Sequence, residues 1–118
     1  MKALFVELTA FSRHRGHYLD DEAFHKLQSM LLANPERGAR IPGGGGLRKL
    51  RFADAGRRKG KRGGLRVIYF WWAEGRQFWL FTLFNKGEMA DLTPQQLAAL
   101  SALLESELEA RRNKWQIH

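Results

Sequence analysis

Between Arg48 and Arg66 the chain carries nine lysines and arginines against one acid, Asp54. Cations this dense repel one another unless an anion lies among them, and no hairpin needs them for its own folding. A polyphosphate is the anion that fits best, so the stretch predicts a face that meets RNA or DNA. Within it, Lys49 and Arg51 alternate with Leu50 and Phe52. That alternation sets two cations side by side on the exposed face of a half-buried strand. Solvated side chains would give the same pattern. The adjoining run GRRKGKRGG, residues 56–64, shifts the balance toward binding, because it cannot pack a core. Arg66 is the one charge in the apolar run LRVIYFWW, residues 65–72. At the mouth of that strand it either caps the sheet edge or faces a phosphate beside Lys49 and Arg51.

Other chemistries fit less well. His14 and His17 lie three apart, but no carboxylate or third histidine sits at a spacing that would complete a metal site, so solvated surface is expected there and no metal. The chain has no cysteine, which excludes disulfide and thiolate chemistry. The run Gly43–Gly46 lacks the GxxxxGK[ST] pattern of a phosphate-cradling loop and leads into a strand, not a helix. It reads as a flexible lead into that strand, and no cofactor is expected.

The elements that must position these residues can be read from composition and periodicity. A chain of 118 residues, 44% hydrophobic and 27% charged, is enough for one globular domain over 1–118. Its net charge of +8 and pI near 10.5 point to nucleic acid before a membrane or an acidic protein. No apolar run reaches the roughly 18 residues of a membrane span. The start MKALFVEL carries Glu7 within its short apolar run, unlike a signal peptide, so a cytoplasmic location is expected.

Leu4–Leu8 predicts a strand, with Thr9 capping a brief helical turn after it. Asp20 or Asp21 opens a helix whose stripe is Phe24, Leu27 and Leu31, and Asn34-Pro35 closes it. Strands follow at 47–52, 65–72 and 78–84. Thr93-Pro94-Gln95-Gln96 is a capping box for a last helix with Leu97, Leu100, Leu104 and Leu108 on its stripe. Residues 113–118 read as a frayed tail from which Trp115 could dock on the body. The order gives an α+β fold: an antiparallel sheet core, with the N-terminal helical region and the C-terminal helix covering one face.

The segments GGLRKLR (45–51), GKRGGLRVIYFW (60–71) and LFNKGEMADLT (83–93) resemble, in this order, the RelE/ParE superfamily of bacterial toxins, and within it the HigB-like, host-inhibition-of-growth branch. The resemblance runs from Leu4 to Arg111. It implies a small RelE-like domain that is an endoribonuclease, cutting mRNA in the ribosomal A site. It also implies inhibition by a cognate HigA-like antitoxin, through which alone operator DNA would be bound. The family's paired basic residues match Lys49 and Arg51, its third-strand arginine matches Arg66, and the basic residue after the fourth strand matches Lys86. Near Phe84 many relatives place a His or Tyr; Phe84 can stack on a base but carries no proton.

Cleavage of RNA without a metal would use the neighbouring 2′-hydroxyl as nucleophile, so the main need is cations around a phosphorane oxyanion. Arg66 suits that role, assisted by Arg51 or Lys86. Lys49 is the base candidate, since cationic neighbours disfavour its protonated form. Glu88 is a second proton-transfer candidate, or a surface acid paired with Lys86 or a loop arginine. Arg48, Arg57, Arg58, Lys59, Lys61 and Arg62 would hold ribosomal RNA, with Phe84 against a base. Two other readings remain open at this point: a ParE-type inhibitor of DNA gyrase, and a basic nucleic-acid-binding module without catalysis.

Overall fold

The computed structural model describes residues 1–53 and 64–116. The chain runs β1 (Leu4–Glu7), α1 (Thr9–Tyr18), α2 (Asp21–Ala33), β2 (Ala39–Arg40), β3 (Arg48–Phe52), β4 (Leu65–Trp72), β5 (Gln77–Asn85) and α3 (Pro94–Gln116). This is the expected α+β fold. The three later strands form the antiparallel meander, and the sheet order is β1-β5-β4-β3-β2. β1 returns parallel to β5 and makes the sheet mixed. β2 is a two-residue edge strand between α2 and β3, antiparallel to β3.

Local chemistry accounts for the helices. Asp20 caps α2 by accepting from the Ala23 backbone N–H at 2.8 Å, with Asp21 and Glu22 in the first turn where the dipole favours them. The capping box of α3 is closed in both directions: Gln96 N–H donates to Thr93 Oγ1 at 3.1 Å, and Thr93 N–H donates to Gln96 Oε1 at 2.8 Å. α3 continues to Gln116, through part of the stretch read as a frayed tail. α1 is a full helix of ten residues, longer than the single turn expected, and Leu8, not Thr9, is its cap residue. Glu7 supports its first turns instead, accepting from Ser12 Oγ at 3.0 Å and from Arg15 Nε at 3.3 Å.

The helices do not share a face, which corrects the expected layering. Phe11, Phe24, Leu27 and Leu31 of α1 and α2 pack with Leu50, Phe52, Val67, Tyr69 and Leu80 on one side of the sheet. Leu104 of α3, flanked by Leu97, Leu100 and Leu108, packs with Ile68, Trp79, Phe81 and Phe84 on the other. The strand sequences contain the reason: β4 and β5 are apolar at successive positions, so both faces demand cover. A bulge adjusts the second face. Between Ile68 and Tyr69 the register jumps from Thr82 to Leu80, leaving Phe81 as the extra residue on β5. Phe81 and Phe84, three apart, would otherwise point to opposite faces; the bulge brings both to α3.

The glycine run before β3 is a defined turn, not a loose lead. Gly43, Gly45 and Gly46 have φ of 78°, 69° and 120°, and Gly44 N–H bonds to Ile41 O at 2.9 Å. A Cβ on Gly46 would also stand 3.0 Å from the Phe70 ring. Tyr69, fully buried on the α1–α2 side of the sheet, ties that side to the chain just past α2. Its hydroxyl donates to Pro35 O at 2.7 Å and accepts from Gly38 N–H at 3.0 Å. A Tyr69→Phe variant orphans two backbone groups, and its chemical denaturation midpoint is expected to report a loss of about 1–3 kcal/mol.

Candidate nucleic-acid interface

The alternation of β3 sorts its cations. Leu50 and Phe52 face α1 and α2, so Lys49 and Arg51 face the α3 side. On β4, Ile68 belongs to the α3-side cluster, and Arg66, two residues earlier, shares its face. Strand pairing then sets Arg51 opposite Arg66, and Arg66 opposite Phe84. The next row is Lys49, Ile68 and Thr82. Directly opposed residues have Cβ atoms about 5 Å apart, so Arg51 and Arg66 form a cross-strand cation pair with Lys49 on the diagonal. Like charges so placed destabilise a sheet unless an anion compensates them. Arg51 is exposed, whereas Arg66 is 7% exposed and donates to Leu65 O at 3.3 Å.

One anion among the described residues already meets this cluster, and the sequence did not mark it. Asp91, on the segment between β5 and α3, takes both carboxylate oxygens to Lys49 Nζ, at 3.1 and 3.0 Å. The Lys49 hydrogen bond, a bond from Leu92 N–H and the field of Lys49 and Arg66 hold the Asp91 carboxyl below the usual carboxylate range, against a smaller opposing effect of burial. Lys49 therefore faces a carboxylate as well as its cationic neighbours, a partner that the sequence-based reading of it as a base did not include. Lys49 and Asp91 are 42 positions apart, and no periodicity links them.

The remaining candidates divide. Arg48 points away from the row: it donates to Gly38 O at 2.7 Å and Glu36 O at 3.2 Å, and meets Glu36 Oε2 at 3.9 Å. It clamps the connection after α2. Lys86 is exposed just past β5, its backbone N–H bonded to Gly64 O at 2.7 Å. Glu88 pairs neither with Lys86 nor with a described arginine but with α1. It accepts from the Tyr18 hydroxyl at 2.6 Å and lies 3.9 Å from His17 Nε2. Phe84 is 5% exposed, covered by packing in the α3-side cluster that also takes in Met89 and Leu92. Arg57, Arg58, Lys59, Lys61 and Arg62, with Asp54 and His118, lie outside the described residues, as does the side chain of Trp115.

A cavity of about 410 Å³ opens beside Phe84, lined by His14 and Tyr18 of α1, Thr82 of β5, Glu88, Met89 and Leu92, and the start of α3. His14, exposed as expected, and the half-buried Tyr18 thus form one wall of a groove. No group of three or more His, Asp or Glu placed to hold a metal ion occurs among the described residues.

Burial, and next the Glu88 carboxylate, push the Tyr18 phenol up to about 12, and burial raises Tyr69 as well. The folded chain thus holds both phenol protons more tightly than the unfolded chain. That contribution to stability is complete below pH 10 and fades, for Tyr18, as pH rises toward 12. A tyrosinate absorbance titration is expected to show little ionisation at pH 10 in the native protein and about half in urea.

No protein-family model matches the chain. A solved structure of E. coli toxin RelE, an arginine-to-alanine double mutant in the free state, superposes with a TM-score of 0.52 at 13% identity, covering 86% of this chain and 96% of that one. The likeness establishes a RelE-like fold for this chain. No helix among the described residues is long and apolar enough to cross a membrane.

Proposed function

We propose that the chain is a HigB-like toxin of a toxin–antitoxin pair, an endoribonuclease that cuts mRNA in the ribosomal A site and acts in the cytoplasm. The observation that carries this reading is the cross-strand pair Arg51–Arg66, with Lys49 beside it, on one face of a RelE-like sheet. Three cations on a face otherwise packed by apolar side chains call for an anion with several oxygens. A phosphodiester supplies it.

In the proposed reaction the 2′-oxygen attacks the adjacent phosphorus, the P–O5′ bond breaks, and the products are a 2′,3′-cyclic phosphate and a 5′-hydroxyl. Arg66 faces the developing oxyanion with Arg51 and Lys86 assisting, because a guanidinium presents two N–H groups to two phosphate oxygens. Lys49 joins this clamp as a cation, which replaces its sequence-based assignment as base. Glu88, hydrogen-bonded to Tyr18 and sharing a cavity with Phe84, is the proton-transfer group of the reading. The basic residues between 57 and 62 hold ribosomal RNA, and a HigA-like antitoxin is the inhibiting partner.

The test is induced expression in a bacterial host with mRNA 5′ ends mapped while translation runs and while it is blocked. Cuts inside translated messages that vanish with translation support the proposal. Growth arrest with intact mRNA and a DNA-damage response replaces it with gyrase inhibition. Salt-sensitive RNA binding without cut products replaces it with a binding module.

A further inference from the structure

The segment 86–92 crosses from β5 to α3 and is fastened on both sides. At its start Asn85 accepts from the backbone N–H of Glu88 at 2.9 Å and of Met89 at 3.0 Å, and its side chain accepts from Gly87 N–H at 2.8 Å. Glu88 ties it to α1 through Tyr18. Met89 and Leu92 lie against the cluster containing Phe84. At its far end Asp91 reaches over to β3 and takes Lys49 with both oxygens. The fastenings differ in kind. The Asn85 bonds and the Met89 and Leu92 packing are local to the segment. The Asp91 contact is the one of these fastenings that places a carboxylate on the cation row.

A carboxylate presenting two oxygens to an ammonium is what a phosphodiester also presents. The Asp91 side chain is 58% exposed and that of Lys49 31%, so solvent and solutes reach the pair, and such exposed pairs are weak. A polyanion, by contrast, gains from every cation it meets at once. We infer that Asp91 is a built-in stand-in for a backbone phosphate: it neutralises Lys49 in the free protein and is displaced when RNA lies along Lys49, Arg51 and Arg66. The inference rests on the reading of this face as an RNA site. Asp91 then sets the affinity of the site without touching the reacting atoms. It keeps Lys49 compensated when no RNA is present, and it makes weak anions poor competitors for that part of the face.

The experiment compares the full chain with Asp91→Asn, which keeps the acceptor for Leu92 N–H, and with Asp21→Asn, which removes the same charge at the start of α2 on the opposite face. Affinity for a 2′-O-methyl RNA oligonucleotide, which resists this cleavage, is read by anisotropy at fixed salt. The melting-temperature gain from inorganic pyrophosphate is read in parallel. Asp91→Asn is expected to bind the oligonucleotide about fivefold more tightly than either other protein and to gain more stability from pyrophosphate. The advantage should vanish in a Lys49→Gln background, since the two residues then no longer couple. Equal affinity of Asp91→Asn and Asp21→Asn, or an advantage that survives Lys49→Gln, overturns the inference. Oligonucleotide binding absent throughout, with the pyrophosphate difference intact, keeps the anion stand-in and overturns the RNA reading.

Discussion

On the proposed reading, replacing Arg66 by lysine is expected to cut mRNA cleavage on translating ribosomes by about 100- to 1000-fold while the protein stays folded. Lysine keeps the charge and most of the aliphatic stem, so the strand and the local field survive. The planar fork does not survive, and a single ammonium cannot donate in parallel to two phosphate oxygens as the charge builds between them. Alanine is the poorer probe, because Arg66 is 7% exposed and its removal would also leave a gap beside Leu65 and Phe84. Ribosome affinity, measured by co-sedimentation, should change little, since Arg66 is one of 20 lysines and arginines. Full cleavage by Arg66→Lys would remove the guanidinium from the mechanism. Lost cleavage together with lost sedimentation would mean that Arg66 serves docking.

Trp79→Ala is expected to cost about 3–5 kcal/mol, or roughly 10–20 °C in melting temperature. Trp79 is 1% exposed and sits between Phe70 at 5.3 Å and Trp72 at 5.5 Å, ring centre to ring centre. Its Nε1 donates to Gln77 Oε1 at 2.8 Å, and the Arg111 guanidinium of α3 lies 4.7 Å over its ring. One substitution thus removes a core ring, orphans an acceptor and cuts a cation–π contact that holds the last turns of α3. Against a total stability of about 5–15 kcal/mol, the variant stands near the edge of folding at 37 °C. A scanning-calorimetry midpoint within a few degrees of the unaltered protein would show that α3 is not secured through this ring.

The linkage to pH follows from Asp91. Its carboxyl is held low in the folded chain, so the stability it lends is present above the ordinary carboxylate value and is lost as pH falls from there through the lower folded-state value. The pair is exposed, so the effect is small, and it should fall further in high salt.

Much of this protein is local and was legible along the chain. The α2 stripe of Phe24, Leu27 and Leu31, the stop at Asn34-Pro35 and the Thr93–Gln96 capping box depend on residues within a turn or two of each other, and the structure shows each of them. The strand alternation that presents Lys49 and Arg51 together is also local, because pleating fixes it whatever the partner strand. Composition supplied the charge and hence the class of ligand to consider.

The rest depends on pairing between distant segments. Which face α3 covers could not be read from β4 and β5, since both are apolar on both sides and accept a helix on either. The face shared by Phe81 and Phe84 follows from one bulge, and a bulge is set by register, not by composition. Pleating alone sets Arg48 and Lys49 on opposite faces, but that Arg48 clamps the carbonyls of Glu36 and Gly38 follows only from the fold. Asp91 on Lys49 and Tyr18 on Glu88 join residues 42 and 70 positions apart. The sequence therefore determined that a cation-rich face exists and which strands carry it. Only the tertiary structure decided which cations share it and which carboxylate already answers them, because Coulomb's law acts through distances that the fold alone sets.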